Sequence, residues 1–386
     1  MKKLFSLTLA LLLILSMTAT AFADDEVIEE PGQGGQPTEW NGTYTPTTST
    51  QFTEIIKTYN SDGNVVVNET LTFTSEYSKS NPDVIVDSEG NVTNTPANLT
   101  VADLTVNSLT KNETTGKYEA GKLTVTIPAL SAAGIYEWTI KETEGNTAGV
   151  GYSSAEIHVT ALVEYDNSSH ALKLASTTSY IKSENNKKAD TFENTFNSGS
   201  FTVAKDVEGN MASESETFDI IVTLTSTKPI GTDISAAGTT VTPTDWTTNY
   251  TDDTKTTVKD YTYEKKLTIS ENSGKRTFSN IPVGVTVTVV EDGVGTDNKV
   301  KGYDYKGVFT RTSTTDGDGQ TTTTDEEFTS LTIAHDTNSD IVVKNENKTE
   351  VATGISLDTV PYFLMLAVAC VGMFLVLSKK RAYREN

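Results

Sequence analysis

Six polar residues stand where the surrounding pattern calls for apolar ones, and they fall in two matching sets. The first is Lys57, Glu142 and Asn194; the second is Lys205, Glu291 and Asn345. Alternate residues of a strand share a face. On that rule Lys205 lies with Phe201, Val203 and Val207, Glu291 with Val285, Val287 and Val289, and Asn345 with Ile341 and Val343. Glu142 follows Tyr136, Trp138 and Ile140, Asn194 sits between Phe192 and Phe196, and Lys57 sits between Ile55 and Tyr59. An amine, a carboxylic acid and a carboxamide on core faces are the reactants for a side-chain amide cross-link. The amine attacks only when neutral, and in water its pKa is about 10.4. Burial lowers that pKa and raises that of a glutamate, so one proton exchanged between them leaves both uncharged. The acid then hydrogen-bonds the carboxamide and moves protons as ammonia leaves. Fixed proximity contributes roughly 7–11 kcal/mol to such a reaction. Each site turns over once, so this is self-processing and not catalysis on an outside substrate.

The elements that must carry these groups repeat. Lysine and acid are separated by 85 residues in the first set and 86 in the second. Acid and amide are separated by 52 and 54. Such agreement over a long interval predicts two domains of one architecture in tandem, each large enough to bury its own core. The chain between them is dense in Thr, Val, Ser and Tyr with frequent alternation, as in Lys122–Ile127, Glu156–Leu162 and Phe218–Leu224. This is strand composition. Turn signals such as Ser61-Asp62-Gly63-Asn64, Ser88-Glu89-Gly90-Asn91 and Asp316-Gly317-Asp318-Gly319 punctuate it. No amphipathic helix longer than two turns is expected. The fold class is all-β, two tandem Ig-like β-sandwich domains. After Lys57 the chain turns polar at Asn60-Ser61, which places that lysine toward a frayed strand edge and makes the second set the firmer one.

Both ends read as addresses. Lys2 and Lys3, the apolar stretch Leu4–Leu15 and Ala21-Phe22-Ala23 form a secretory signal over residues 1–23. Residues 24–45 are acidic and then Gly- and Pro-rich, a disordered leader. The two sandwiches are expected over 46–198 and 199–349. They meet at Asn197-Ser198-Gly199-Ser200, a linker short enough for a stiff rod. Residues 350–386 hold Glu350-Val351-Ala352-Thr353-Gly354, the apolar run Val360–Leu377 and the basic tail Lys379, Lys380, Arg381 and Arg384. That run is just long enough to span a bilayer with the basic tail in the cytoplasm. A simple tail anchor is one reading. The other is a cell-wall sorting signal, in which a sortase cleaves between Thr353 and Gly354.

The net charge is −22. The exported part is more acidic still, because the basic residues of both ends are removed from it. Nucleic acid and acidic membrane surfaces are therefore excluded as partners of that part. The one cysteine, Cys370, lies in the apolar run, so no intramolecular disulfide forms. His158, His170 and His335 lack metal-ligand spacing, and the Asp316–Gly319 stretch lacks the remaining ligands of a calcium loop. No metal or cofactor is expected.

These features resemble the isopeptide-containing major pilins of Gram-positive bacteria, the streptococcal pilin isopeptide linkage domain family. The motifs that carry the resemblance are Phe201-Thr202-Val203-Ala204-Lys205, Val289-Val290-Glu291-Asp292, and Asn345 through Gly354. Thr139-Ile140-Lys141-Glu142 and Phe192-Glu193-Asn194 match in the first half. The chain departs from the usual sorting motif by having Ala352 in place of proline. The resemblance implies a Lys–Asn bond joining first and last strands, a glutamate as helper acid, and a sortase-linked polymer on the cell surface. Its partners would be a sortase, neighbouring pilin subunits, and peptidoglycan or a basal pilin, with the membrane holding the C-terminal span before sorting. It also places an acceptor lysine shortly before the first bonded Asn. Lys187 has the nearest offset, Lys188 adjoins it and Lys182 is in reserve; solvated loop lysines carrying no such role are the plain alternative. A wall-anchored adhesin or basal subunit that is not polymerised would show the same motifs.

Overall fold

The computed structural model describes residues 44–61, 67–78, 96–181, 187–188 and 190–348, with single positions at 369 and 373. The expected signal, the leader up to residue 43 and the sorting segment with Thr353 and Gly354 lie outside the described residues, as does Lys182. Between residues 44 and 348 the described chain is strands, turns and two short 3₁₀ segments, Pro243–Asp245 and Glu271–Ser273, and the single positions at 369 and 373 are helical. Among the described residues no helix is long and apolar enough to cross a membrane.

Alternation builds the layers. In the first half one five-stranded sheet runs in the order Val150–Gly151, Thr191–Phe196, Ile56–Asn60, Tyr118–Lys122, Thr110–Lys111. Facing it is a second, ordered Lys187–Lys188, Ala171–Ile181, Glu156–Asp166, Gly134–Glu142, Phe73–Tyr77. Tyr136, Trp138, Ile140, Ile157, Val159 and Phe192 pack between them. The run Lys122–Ile127 is not one strand. Tyr118–Lys122 pairs with Ile56–Asn60, whereas Val125–Ile127 pairs with Thr50–Phe52 in a smaller sheet. Buried Leu123 makes the crossing, its N–H donating to the Ile55 carbonyl at 2.8 Å.

The second half repeats the plan. An eight-stranded sheet carries Arg276–Pro282, Ser198–Glu208, Asn338–Glu346 and Tyr303–Thr315 as consecutive neighbours. A five-stranded sheet carries Val258–Ile269, Phe218–Ser226 and Thr286–Glu291. Phe201, Val203, Ile220, Val222, Val287, Ile341 and Val343 fill the space between. The Asp316–Gly319 turn closes the hairpin from Tyr303–Thr315 to Thr321–Glu327, and the Asp316 carboxylate accepts the N–H groups of Asp318 and Gln320 at 3.1 and 2.8 Å.

No described strand before Asn197 pairs with one after it. Phe196 ends one strand and Ser198 begins the next, leaving only Asn197 between. Asn197 donates its N–H to the Gly149 carbonyl at 2.9 Å and accepts from the Val283 N–H at 3.0 Å. Two more backbone bonds cross the joint, Asn68 N–H to Gly231 O at 2.7 Å and Ala148 N–H to Pro229 O at 2.9 Å. Ala148 packs into the core of the second half.

Candidate functional site

Each lysine stands on a strand whose alternate residues are apolar, so the fold that buries those residues carries the amine inward as well. Ile55, Lys57 and Tyr59 are all fully buried. The strand Ile56–Asn60 is not a frayed edge: it lies in mid-sheet, with Thr191–Phe196 on one side and Tyr118–Lys122 on the other. The polar look of Tyr59-Asn60 misleads because the Tyr59 hydroxyl bonds the Glu69 carboxylate, which lets the ring stay inside. In the second half Phe201, Val203, Lys205 and Val207 share the core face, with Lys205 3% exposed.

The amide strand in each half runs parallel to the lysine strand and directly beside it. Lys57 is in register with Phe192, and Tyr59 with Asn194. Lys205 is in register with Val343, and Val207 with Asn345. In both halves, then, the amide sits two residues beyond the lysine's partner on the same face, the diagonal a long side chain can reach. In the first half the lysine strand is preceded by Thr50–Phe52, which belongs to another sheet, whereas in the second half Ser198–Glu208 is the first strand. The acid comes from the facing sheet. Glu142 ends the strand Gly134–Glu142 and Glu291 ends Thr286–Glu291, so each glutamate reaches across the core onto the lysine–amide pair.

In the first site Lys57 Nζ lies 2.7 Å from Glu142 Oε2 and 2.5 Å from Asn194 Oδ1. Asn194 Nδ2 donates to Glu142 Oε1 at 2.9 Å. In the second, Lys205 Nζ is 3.2 Å from Glu291 Oε2, and Asn345 Nδ2 donates to Glu291 Oε1 at 2.8 Å. Both lysine–glutamate pairs have side chains with no solvent exposure. Burial pushes the Lys57 amine down to about 8, against the pull of Glu142 in the other direction. Burial likewise lowers Lys205 to about 8 with Glu291 opposing, and burial raises Glu291 despite Lys205. Burial thus makes it easier to remove the lysine's charge in both sites.

The sites differ in two details. Lys205 Nζ packs 4.5 Å from the centroid of the Phe218 ring, whereas Lys57 Nζ lies 5.6 Å from that of Tyr59. Asn194 Oδ1 also accepts the backbone N–H of Ser153 at 2.8 Å, whereas Asn345 Oδ1 is buried with no hydrogen-bond partner among the described residues. Sequence reasoning missed Ser153, since a main-chain N–H leaves no mark on composition or spacing. It also missed Glu69, whose carboxylate gathers the hydroxyls of Tyr59, Tyr152 and Thr147, the last two at 2.6 and 2.9 Å.

Among the other residues singled out, Lys187 and Lys188 form a two-residue strand at a sheet edge, opposite Ile181 and Tyr180, and Lys188 is exposed. No cluster of metal-ligating side chains occurs among the described residues.

No protein-family model and no curated protein matches the chain. Among solved structures, it is similar to the major pilin from Streptococcus pyogenes at 17% identity and a TM-score of 0.44, covering 78% of this chain and 99% of that one. The major pilin protein T3.2 from the same organism matches at 18% identity and 0.44 over 78% of this chain and 99% of that one. A pilus-presented adhesin matches at 13% identity and 0.22, over 50% of this chain and 37% of the adhesin.

Proposed function

We propose that the chain is a structural subunit of a sortase-assembled surface pilus, built of two β-sandwich domains that each close an intramolecular Lys–Asn amide bond. The observation that carries the cross-link is the recurrence, in both halves, of one arrangement: a buried lysine and a buried asparagine on adjacent parallel strands at the same diagonal, with a glutamate from the facing sheet touching both. A buried ion pair left unreacted bears a desolvation cost of several kcal/mol per ion. Converting it to an amide removes both charges. In the reaction Nζ bonds to the Asn Cγ, the Cγ–Nδ2 bond breaks, and the side-chain nitrogen departs as ammonia. No oxidant or cofactor enters. The glutamate accepts a proton from the amine and supplies one to the leaving nitrogen.

The assembly step rests on the sorting segment. A sortase would cleave between Thr353 and Gly354 and pass the Thr353 carbonyl to a lysine of the next subunit. Lys187 and Lys188 are the proposed acceptors; the exposure of Lys188 at a sheet edge supports an accessible amine there. Peptidoglycan or a basal pilin would receive the last subunit.

Intact-mass measurement on residues 46–349 tests the cross-links. The expected mass is that of the sequence less two molecules of ammonia, and Glu291→Ala should restore one of them while the second domain still folds. A mass equal to the sequence would discard both bonds. Assembly is tested separately in the sortase-bearing host: a high-mass ladder on denaturing gels that disappears when Lys187 and Lys188 are replaced supports the polymer. A single wall-linked species would instead mark a non-polymerised adhesin or basal subunit.

A further inference from the structure

We infer that the backbone N–H of Ser153 is the oxyanion donor of the first cross-linking site, a catalytic group with no counterpart among the described residues of the second site. This rests on the cross-linking proposed above and says how one of the two sites performs it.

The argument begins with the orientation of a carboxamide. Its oxygen and nitrogen have nearly the same shape, so the atoms around them decide which is which. A backbone N–H can only donate. The atom of Asn194 that sits 2.8 Å from the Ser153 nitrogen must therefore be Oδ1. That fixes Nδ2 on the opposite side, where it meets Glu142 Oε1 at 2.9 Å. The other carboxyl oxygen, Oε2, is 2.7 Å from Lys57 Nζ. Glu142 thus bridges the attacking nitrogen and the leaving nitrogen, and it does not touch the oxygen on which negative charge develops. Two donors meet that oxygen, Lys57 Nζ at 2.5 Å and the Ser153 N–H at 2.8 Å; the amine gives up its hydrogen bond when it turns to attack Cγ, and Ser153 is the donor that stays.

The chemistry divides accordingly. Lys57 first gives a proton to Glu142, leaving a neutral amine and a neutral acid. The Nζ electron pair forms a bond to Cγ of Asn194, and the carbonyl π pair moves onto Oδ1, against the Ser153 N–H. Glu142 then turns about its Cγ–Cδ bond, so that the oxygen carrying the proton taken from Lys57 delivers it to Nδ2 while the other oxygen takes one from Nζ. The π pair returns, the Cγ–Nδ2 bond breaks, ammonia leaves, and Glu142 remains protonated. Every proton and electron pair is accounted for within the triad.

The donor is pre-positioned. Val150–Gly151 pairs with Phe196 and Thr195, and the ladder stops there, so the next residues are free to turn over Asn194. Tyr152 anchors that turn: its hydroxyl donates to Glu69 Oε2 at 2.6 Å and accepts the Thr147 N–H at 3.0 Å. A donor held in place before charge develops needs no reorganisation, and losing one such donor slows acyl-transfer reactions about 10²–10³-fold. In the second site Asn345 Nδ2 meets Glu291 Oε1 in the same way, but Asn345 Oδ1 has no donor among the described residues. There Glu291 is the one acid hydrogen-bonded to the carboxamide among the described residues.

The test uses the full chain made by cell-free translation, quenched in acid at timed intervals and digested. Mass spectrometry then counts the branched Lys57–Asn194 and Lys205–Asn345 peptides, the second acting as an internal clock. At position 153 serine is replaced by its α-hydroxy-acid analogue, which exchanges the N–H for oxygen and keeps the side chain. Ser153→Pro removes the N–H by a second route, and Ser153→Ala retains it. The expected result is a Lys57–Asn194 bond formed about 100-fold more slowly in the ester chain, with normal rates for Ser153→Ala and for the second bond in every chain. Closure of the first bond in the ester chain at the parent rate, or equal slowing of both bonds, would overturn the role of Ser153. Absence of the Lys57–Asn194 peptide from the parent chain would instead overturn the first cross-link itself.

Discussion

Lys205 and Glu291 show how a residue's surroundings set its chemistry. Before any bond forms, Lys205 has a folded pKa of about 8 against 10.5 for the unperturbed group. Between those values the folded chain binds fewer protons than the unfolded one, so stability rises with pH across that window. Glu291, whose pKa burial raises, works in the opposite sense: its contribution is complete below the ordinary glutamate range and is lost as pH rises through its folded value. Asn345→Ala keeps both groups and prevents the reaction. Urea titrations of this variant should therefore show the second domain weakest between the two windows, and recovering from pH 8 upward. The parent, with its lysine converted to the proposed amide, should show no such recovery, and parallel curves would mean that the amine is not desolvated or that the bond does not form. Much at this scale was legible from the sequence, because a lone Lys205 among Phe201, Val203 and Val207 breaks an alternation that is otherwise apolar. Lys57 was harder to read. The chain turns polar at Asn60-Ser61 just beyond it, and nothing in the sequence signals that Tyr59 stays inside with its hydroxyl on Glu69, a residue with no distinctive spacing.

The strand is the element that would make the proposed reaction possible. The two strands that hold lysine and amide are far apart in sequence, 137 residues in the first half, yet they lie side by side and parallel. Equal spacing in two sets announced that the halves correspond, but it could not say which strands are neighbours. Parallel neighbours are joined through long crossovers and leave no local turn signature. The Lys122–Ile127 run makes the same point: one alternation, read as a single strand, serves two sheets because Leu123 crosses between them. Closing a loop of this length should contribute about 5 kcal/mol, by analogy with a disulfide. Hydrogen exchange in moderate urea is expected to keep Ser198–Glu208 and Asn338–Glu346 protected after Thr247–Tyr250 has opened. In Asn345→Ala that extra protection should disappear. Identical exchange in both proteins would separate strand pairing from the covalent bond.

At the level of the whole molecule the joint around Asn197 decides how the halves act together. Gly149 has φ +77, and a Cβ there would stand 2.8 Å from the Asn197 carbonyl oxygen and 3.0 Å from Pro282 Cβ. Gly149→Val should strain this approach by about 1–3 kcal/mol. Small-angle scattering is expected to report a wider spread of domain orientations while both ammonia losses persist. Unchanged scattering would show that the close approach is not what holds the halves in line.

The parallel neighbours carry one more consequence. Suppose the chain, with both proposed bonds closed, is drawn out from its ends. Tension enters at Lys57, passes through the amide to Asn194, continues along Phe196, Asn197 and Ser198 to Lys205, and leaves through Asn345. The loops and sheets in between hang off this short covalent track like beads beside a wire. A single-molecule stretching trace of the parent chain should consequently lack the stepwise lengthening of unravelling domains, whereas Asn345→Ala should yield one such step.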